Sequence, residues 1–153
     1  MNRQNVVNES IDRFAKSHGF QKKSGAWYRT SEDLVFVVQA QKSQYRPSYY
    51  LNLAIGLLQL DQVEFPKEHK CQIRTRAGRV LPSGDKVLSE LLDLDYPMAD
   101  DERATYLGAL LEAELWPIIS ACGSVPMLRV GEGKKFIDNS LVNGAAQALL
   151  KGH

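Results

Sequence analysis

Cysteine and histidine are scarce in this chain of 153 residues, which contains two of the former and three of the latter. Cys71 and Cys122 are too few for a disulfide framework, and we expect both to be reduced thiols in the core. The sequence contains no Cys-x-x-Cys pair, which would indicate a zinc site, and no Gly-x-Ser-x-Gly nucleophile motif. These absences predict a chain without a metal or a cofactor. They favour a non-enzymatic function, and an enzyme stays open as an alternative.

Long hydrophobic runs and a charge surplus are missing as well. No apolar run approaches the roughly 18 residues that a membrane-spanning helix needs, and residues 1–5 show no apolar signal-peptide region. The formal net charge is +1, so no overall field attracts the chain to nucleic acid or to a membrane surface. We therefore expect a cytoplasmic protein, and a length of 153 residues predicts one domain.

Two hydrophobic segments, 34–43 and 49–58, dominate the first half of the sequence. Both are rich in β-branched and aromatic residues, which favour strands. Because side chains alternate between the two faces of a strand, each segment separates into one apolar face and one mixed face. The apolar faces consist of Leu34, Phe36, Val38 and Ala40 in the first segment and Tyr49, Leu51, Leu53, Ile55 and Leu57 in the second. This pattern predicts antiparallel strands with helices packed on one side.

The remaining segments complete a prediction of an α+β fold. Apolar periodicity predicts helices over 5–18, 85–93, 100–122 and 134–150, with a kink near 113–117 caused by Pro117. Further strands are predicted at 20–23, 26–30 and 71–77, with a polar loop at 59–70. The predicted fold is a single domain, residues 1–153, with an antiparallel sheet of four to five strands. We expect the N-terminal and C-terminal helices to pack mainly on one face of this sheet.

The mixed faces of the strands bring polar side chains onto one predicted surface. Its members are Gln39, Gln41, Ser43, Tyr50, Asn52, Gln72, Arg74 and Arg76. An arginine guanidinium is a planar fork that suits carboxylate or phosphate, so this surface is a candidate binding site. Trp27 is a further candidate as a stacking platform, although a place in the core is the stronger expectation. The competing interpretation is a solvated face on which Arg74 and Arg76 pair with local carboxylates.

Several blocks of the first half follow the order of a known bacterial family. They are Gly19-Phe-Gln-Lys-Lys23, Trp27-Tyr-Arg29, Val38-Gln-Ala-Gln-Lys-Ser43, Tyr50-Leu-Asn-Leu-Ala-Ile-Gly56 and Cys71-Gln-Ile-Arg-Thr-Arg76. Over residues 5–80 the chain resembles the family called domain of unknown function 4304. The resemblance implies a bacterial, intracellular α+β domain. It implies no catalytic residue, because no activity is established for the family.

Three functions remain open at this point. The first is a non-enzymatic module that docks a protein partner, in its sharpest form an immunity or antidote protein of a bacterial toxin system. Its candidate anchors are Trp27, Tyr45, Tyr49, Tyr50, Arg74 and Arg76. The second is nucleic-acid or nucleotide binding by the same face, which interleaved aromatic and basic residues favour and a net charge near zero opposes. The third is a small-molecule enzyme in which Arg74 and Arg76 clamp an anion.

Overall fold

The computed structural model describes the backbone of residues 4–152 and the side chains of residues 6–152. Within that part of the chain, six strands form one antiparallel sheet, and their order in space is their order in the sequence. The strands are β1 (Gln21–Lys23), β2 (Ala26–Ser31), β3 (Leu34–Lys42), β4 (Tyr49–Leu57), β5 (Ile73–Arg76) and β6 (Leu141–Val142). The two dominant hydrophobic segments are thereby confirmed as the adjacent strands β3 and β4.

The helices of the described residues follow the predicted order until the C-terminal region. They are α1 (Gln4–Ser17), α2 (Gly84–Leu92), α3 (Asp100–Leu110), α4 (Trp116–Ala121), α5 (Gly131–Asp138) and α6 (Gly144–Lys151). A π-helical segment, Leu111–Leu115, joins α3 to α4, and the Trp116 N–H bonds to the Leu111 carbonyl oxygen. The sequence predicts a kink near 113–117 because Pro117 has no N–H to donate, and the structure has the π-helical segment in that place. None of these described helices is long and apolar enough to span a membrane.

The C-terminal region corrects two predictions. The sheet has six strands instead of four to five, since β6 lies inside the segment 134–150 that periodicity predicted as one helix. α5 ends at Asp138, where the side chains of Asn139 and Ser140 donate back to carbonyl oxygens of α5 and stop the helix. α6 then begins with its own N-cap, because the Asn143 side chain accepts a 2.8 Å hydrogen bond from a backbone N–H of its first turn.

The helices pack on one face of the sheet, as the strand pattern predicts. From the strands, this core contains Trp27, Phe36, Leu53, Ile55 and Ile73, each exposed by 1% or less. From the helices it contains Val7, Ile11, Phe14, Leu107, Leu111, Leu115 and Phe136. Each such side chain stabilises the fold by about 1.5–3 kcal/mol when it leaves water completely. The apolar faces read from the sequence are therefore the interior of the protein.

A loop, residues 58–72, covers part of the opposite face of the sheet. Under it a second, smaller cluster is buried, formed by Ala26, Tyr28, Val35, Val37, Ala54 and Cys71 with Leu58 and Phe65 against them. The rings of Tyr28 and Phe65 meet edge to face with centroids 5.2 Å apart. Pro66 lies so close to Gly56 that a Cβ atom there would be 3.0 Å from its Cγ. The loop therefore divides this face into a covered half and an open half.

Candidate binding surface on the sheet

Strand register brings six of the predicted polar residues together on the open half of the sheet. Gln39 of β3 lies opposite Asn52 of β4, which lies opposite Arg76 of β5, and Gln41 lies opposite Tyr50. Arg74 is two residues before Arg76 on β5 and therefore shares its face. We call this surface the open patch, defined as Gln39, Gln41, Tyr50, Asn52, Arg74 and Arg76. Its role in binding remains a prediction.

Asn52 organises the amides of the open patch. It is only 5% exposed, and its Nδ2 donates to Gln41 Oε1 at 2.8 Å and to Gln39 Oε1 at 3.3 Å. A buried amide that satisfies its donors in this way holds its partners in a fixed orientation. Gln41 stands at the exposed rim of this network. The centre of the open patch is therefore ordered before any ligand arrives.

Arg74 is the cation of the open patch whose charge is already neutralised. Its Nε donates to Glu68 Oε2 at 3.0 Å and its Nη2 donates to Glu68 Oε1 at 3.4 Å. Glu68 is 7% exposed and begins a 3₁₀ turn, Glu68–Lys70, in the covering loop. A carboxylate this deeply buried needs a charged partner, so the pair fastens the loop to the sheet. Arg74 thus follows the local-pairing interpretation and is not free to clamp an anion.

Arg76 differs from Arg74 although it lies on the same strand. Its guanidinium carbon sits 3.9 Å from the centroid of the Tyr50 ring, a cation–π contact of about 0.5–1 kcal/mol at an exposed site. Among the described side chains, no carboxylate lies within ion-pair distance of Arg76. The ring keeps the guanidinium at this place on the surface, and the positive charge of Arg76 stays available to a ligand.

Arg79 adds a second available cation that the sequence did not single out. It ends the 3₁₀ turn Ala77–Arg79 directly after β5, its side chain is exposed, and no described carboxylate pairs with it. Arg76 and Arg79 are the two residues that line both of two adjoining clefts, of ≈ 340 Å³ and ≈ 370 Å³. We call these two arginines the ridge.

The walls of the clefts come from distant parts of the chain. The first cleft is closed by residues 138–141, which follow α5, and Leu141 is 74% exposed at its edge. The second is closed by α2 and by the residues before β4. Glu68, Arg79, Asn139, Ser140 and Leu141 were not predicted as site residues. No local pattern could indicate them, since their proximity depends on three features of the fold. The covering loop lies on the sheet, β6 pairs with β5, and a 3₁₀ turn follows β5.

Several candidates from the sequence do not join the open patch. Trp27 is 1% exposed in the core, and its Nε1 donates to Asp12 Oδ1 at 2.9 Å. That hydrogen bond is the main cause of the lowered pKa of the Asp12 carboxyl. Tyr49 is buried on the helix side, and Tyr45 is 89% exposed in the loop before β4. The stacking role considered for Trp27 is thereby replaced by a structural one.

Gln72 and the thiols also have structural positions. Gln72 precedes β5, and its Oε1 accepts a 2.8 Å hydrogen bond from the backbone N–H of Leu57. Cys71 and Cys122 are buried and unpaired as disulfides, as expected from the sequence. Burial raises the pKa of the Cys122 thiol to about 12, and burial together with the Glu68 carboxylate raises that of Cys71 to about 12. Within the described residues no His, Cys, Asp and Glu cluster could hold a metal ion.

The raised thiol pKa values predict a loss of stability at alkaline pH. Below the ordinary value of 9.0 both the folded and the unfolded chain keep these protons. Between 9.0 and about 12 the unfolded chain releases them while the folded chain does not, so the free energy of unfolding falls as pH rises. We expect a loss of about 1 kcal/mol per thiol between about pH 8 and about pH 10, measured by urea unfolding.

The control for this prediction is the double variant Cys71→Ala with Cys122→Ala. Lysine and tyrosine side chains also titrate in this range, so the informative quantity is the difference between the two pH slopes. The variant should have the shallower slope whatever its absolute stability. An equal slope in both proteins would contradict the prediction.

Comparison with known families now identifies the chain. The family model described as domain of unknown function (DUF4304) matches residues 11–121. The chain belongs to the DUF4304 family. The matched part contains the whole open patch and Arg79, and it ends before α5 and the residues 138–141 that close the first cleft. Comparisons with curated proteins and with solved structures find no match.

Proposed function

We propose that this DUF4304 chain is a non-enzymatic binding module that docks a protein partner on the open patch. The observation that carries the proposal is the ridge. Its two exposed arginines have no carboxylate partners among the described side chains, and they lie in and beside an ordered polar surface. Arginine and tyrosine are the residue types that concentrate binding energy in protein interfaces. Tyr50 and Arg76 bring the two together in one stacked pair.

Apolar surface next to the ridge supports a protein as the partner. Leu141 is 74% exposed beside the first cleft, and Tyr50 is 42% exposed beside the second. Interfaces between proteins combine such apolar contacts with a polar rim. The Asn52 amide network keeps the surface between them in one conformation, so little ordering entropy is lost on binding.

The residues of the clefts support a function without catalysis. Neither cleft is lined by a histidine or a cysteine among the described residues. Of the four described carboxylates that line them, Glu68 is paired with Arg74, Asp93 with Arg46 and Asp138 with Lys134. The fourth, Asp85, accepts a hydrogen bond from Ser89 Oγ. A general base needs a titratable group that can reach a substrate proton, and each of these carboxylates is instead engaged by a cation or by a hydroxyl of the chain.

Nucleic acid is the alternative partner, and the small number of available charges on the open patch argues against it. The neutralisation of Arg74 by Glu68 leaves two ridge arginines, and the net charge of the chain is +1. Affinity for nucleic acid comes largely from many phosphate contacts, which this surface does not offer.

We place the module in the bacterial cytoplasm, where free buried thiols such as Cys71 and Cys122 remain reduced. In the sharpest form of the proposal, the partner is a toxin that the module neutralises.

The test of the proposal is capture of a partner by a variant with the open patch obstructed. Gln41→Trp places a bulky side chain on the exposed rim of the patch, while Gln39 still accepts from Asn52. The matched control is Gln21→Trp, an exposed glutamine on β1 at the far edge of the sheet. Each tagged protein is incubated with nuclease-treated lysate of its own host, and captured proteins are quantified by mass spectrometry.

We expect the wild type and Gln21→Trp to retain one partner in stoichiometric amounts. Gln41→Trp should retain roughly tenfold less or lower still, as for the loss of an interface centre. Equal capture by Gln41→Trp would contradict docking on the open patch. Absence of any protein from all samples, with nuclease-sensitive absorbance at 260 nm in a parallel untreated sample, would replace the proposal by the nucleic-acid alternative.

A further inference from the structure

The ridge carries positive charge that its surroundings do not balance. The carboxylates lining the two clefts are Glu68, Asp85, Asp93 and Asp138. Three of them form ion pairs with other cations, at 3.0 Å, 2.7 Å and 3.0 Å, and Asp85 accepts a 3.0 Å hydrogen bond from Ser89 Oγ. None of these carboxylates pairs with Arg76 or Arg79 among the described residues. Two guanidinium groups are thus left to an anion from outside.

Both ridge arginines extend from well-packed backbone. Arg76 is on β5, and its guanidinium lies over the Tyr50 ring. Arg79 ends a 3₁₀ turn whose Gly78 is packed against α2, since a Cβ atom on Gly78 would lie 2.9 Å from Asp85 Cγ. A planar guanidinium binds a carboxylate through two parallel N–H donors. The contact with Tyr50 orders the Arg76 guanidinium before binding and reduces the entropy lost on binding.

The surface beside the ridge selects among anions. Leu141 is 74% exposed and lines the same cleft as Arg76 and Arg79. A phosphate-rich backbone presents mainly charged oxygens to an exposed leucine, whereas a peptide with an acidic and an apolar side chain gains from both contacts. Two available arginines also match one or two carboxylates better than the many phosphates of a nucleic acid.

We propose that the ridge binds an acidic segment of the protein partner, with a carboxylate on Arg76 and Arg79 and an apolar side chain against Leu141. This inference rests on the proposed docking function and specifies the chemistry of the partner. The partner's carboxylate is bound by Arg76 of β5 and by Arg79, which lies outside the strands. Arg74 keeps its structural role under the covering loop.

Selection from a displayed library of random peptides tests the proposal without a known partner. Peptides are selected on the wild-type chain, and the enriched sequences are titrated against two double variants. Arg76→Ala with Arg79→Ala removes the ridge. Arg13→Ala with Lys42→Ala removes the same charge from exposed positions on α1 and on the helix side of β3 that have no ion pair among the described residues.

We expect the enriched peptides to contain several-fold more Asp and Glu than the unselected library, with an apolar residue close to the acidic one. Their affinity should fall roughly tenfold or more on the ridge variant and stay within about twofold on the control variant. Replacing the acidic residues of an enriched peptide by Asn or Gln should reproduce the loss.

Three results would overturn the inference. Enriched peptides without acidic residues, or peptides that bind the ridge variant as tightly as the wild type, would show that another chemistry anchors the partner. Failure to enrich any peptide would also overturn it, and ridge-dependent binding of a labelled random single-stranded DNA would then assign the ridge to phosphate. In the first two cases the capture experiment with Gln41→Trp still decides separately whether a protein docks on the open patch. Failure of the acidic-segment inference can therefore be distinguished from failure of the docking function.

Discussion

Replacement of Gly133 by alanine is expected to lower the free energy of unfolding by about 3 kcal/mol, at the upper end of the range for steric overpacking. A Cβ atom on this residue of α5 would overlap the Met127 carbonyl oxygen and lie 2.8 Å from the Ala121 carbonyl oxygen. Both obstacles are backbone atoms, so no side chain can rotate away. α5 would have to move off α4 and off the 3₁₀ turn Pro126–Arg129, and residues 138–141 would move with it.

Gly108→Ala is the matched control for this prediction. Gly108 also lies in a helix, α3, but a Cβ atom there meets nothing within 4 Å. Alanine in that position should stabilise the protein by about 0.5–1 kcal/mol, because glycine is the poorer helix former. Urea unfolding of the two variants should therefore give changes of opposite sign. A Gly133→Ala protein within about 1 kcal/mol of the wild type would contradict the packing described for α5.

Arg103→Met is expected to cost about 3–5 kcal/mol, because it removes the donors of three carbonyl oxygens at once and each buried acceptor left unsatisfied costs about 1–3 kcal/mol. The side chain is 0% exposed. Its Nη1 donates to the carbonyl oxygens of Glu90 and Leu91 at 2.9 Å and 2.7 Å, and its Nη2 donates to that of Tyr96 at 2.8 Å. These contacts connect α3 to the last turn of α2 and to the turn that follows. Methionine fills similar space but supplies no donor to these oxygens.

The control for Arg103 is the same substitution at an exposed arginine. Arg13→Met on α1 should change the free energy of unfolding by no more than about 0.5 kcal/mol, since Arg13 is exposed. Thermal or urea unfolding followed by circular dichroism measures both variants. Equal effects at positions 103 and 13 would show that the buried guanidinium does not stabilise the contact between α2 and α3.

Local alternation was sufficient to predict the centre of the sheet. The segments 34–43 and 49–58 alternate with a period of two, and this period alone determines which side chains share a face. For the same reason Gln39, Gln41, Tyr50 and Asn52 could be assigned to one surface before their register was known. The apolar half of each strand faces the helices because only that face can exclude water.

Contacts between distant segments could not be predicted in this way. Glu68 stands in a polar stretch that reads as a surface loop, and its burial against Arg74 depends on the loop lying over the sheet. Arg103 occupies a helical position four residues before the core residue Leu107, but its charge suggests solvent. β6 interrupts an apolar periodicity that continues through it, because side-chain hydrogen bonds end one helix and start the next.

The ridge illustrates why one of its two arginines and its apolar neighbour could not be predicted from the sequence. Arg76 was predicted from strand alternation, but its free charge depends on the absence of a neighbouring carboxylate among the described residues, which no sequence pattern reports. Arg79 ends the 3₁₀ turn after the strand, where the alternation that assigned Arg76 no longer applies. Leu141 comes from the C-terminal region, beyond the segment that matches the family.

Hydroxyl-radical footprinting of the complex recovered from host lysate tests the central claim most directly, namely that a protein docks on the open patch. Oxidation of exposed side chains is quantified by mass spectrometry in the free chain and in the complex. Tyr50 is 42% exposed in the open patch, and Tyr106 is 54% exposed on α3, on the helix side of the protein. We predict that the partner protects Tyr50 and Leu141 and leaves Tyr106 unchanged. Protection of Tyr106 with unchanged oxidation of Tyr50 and Leu141 would contradict the account.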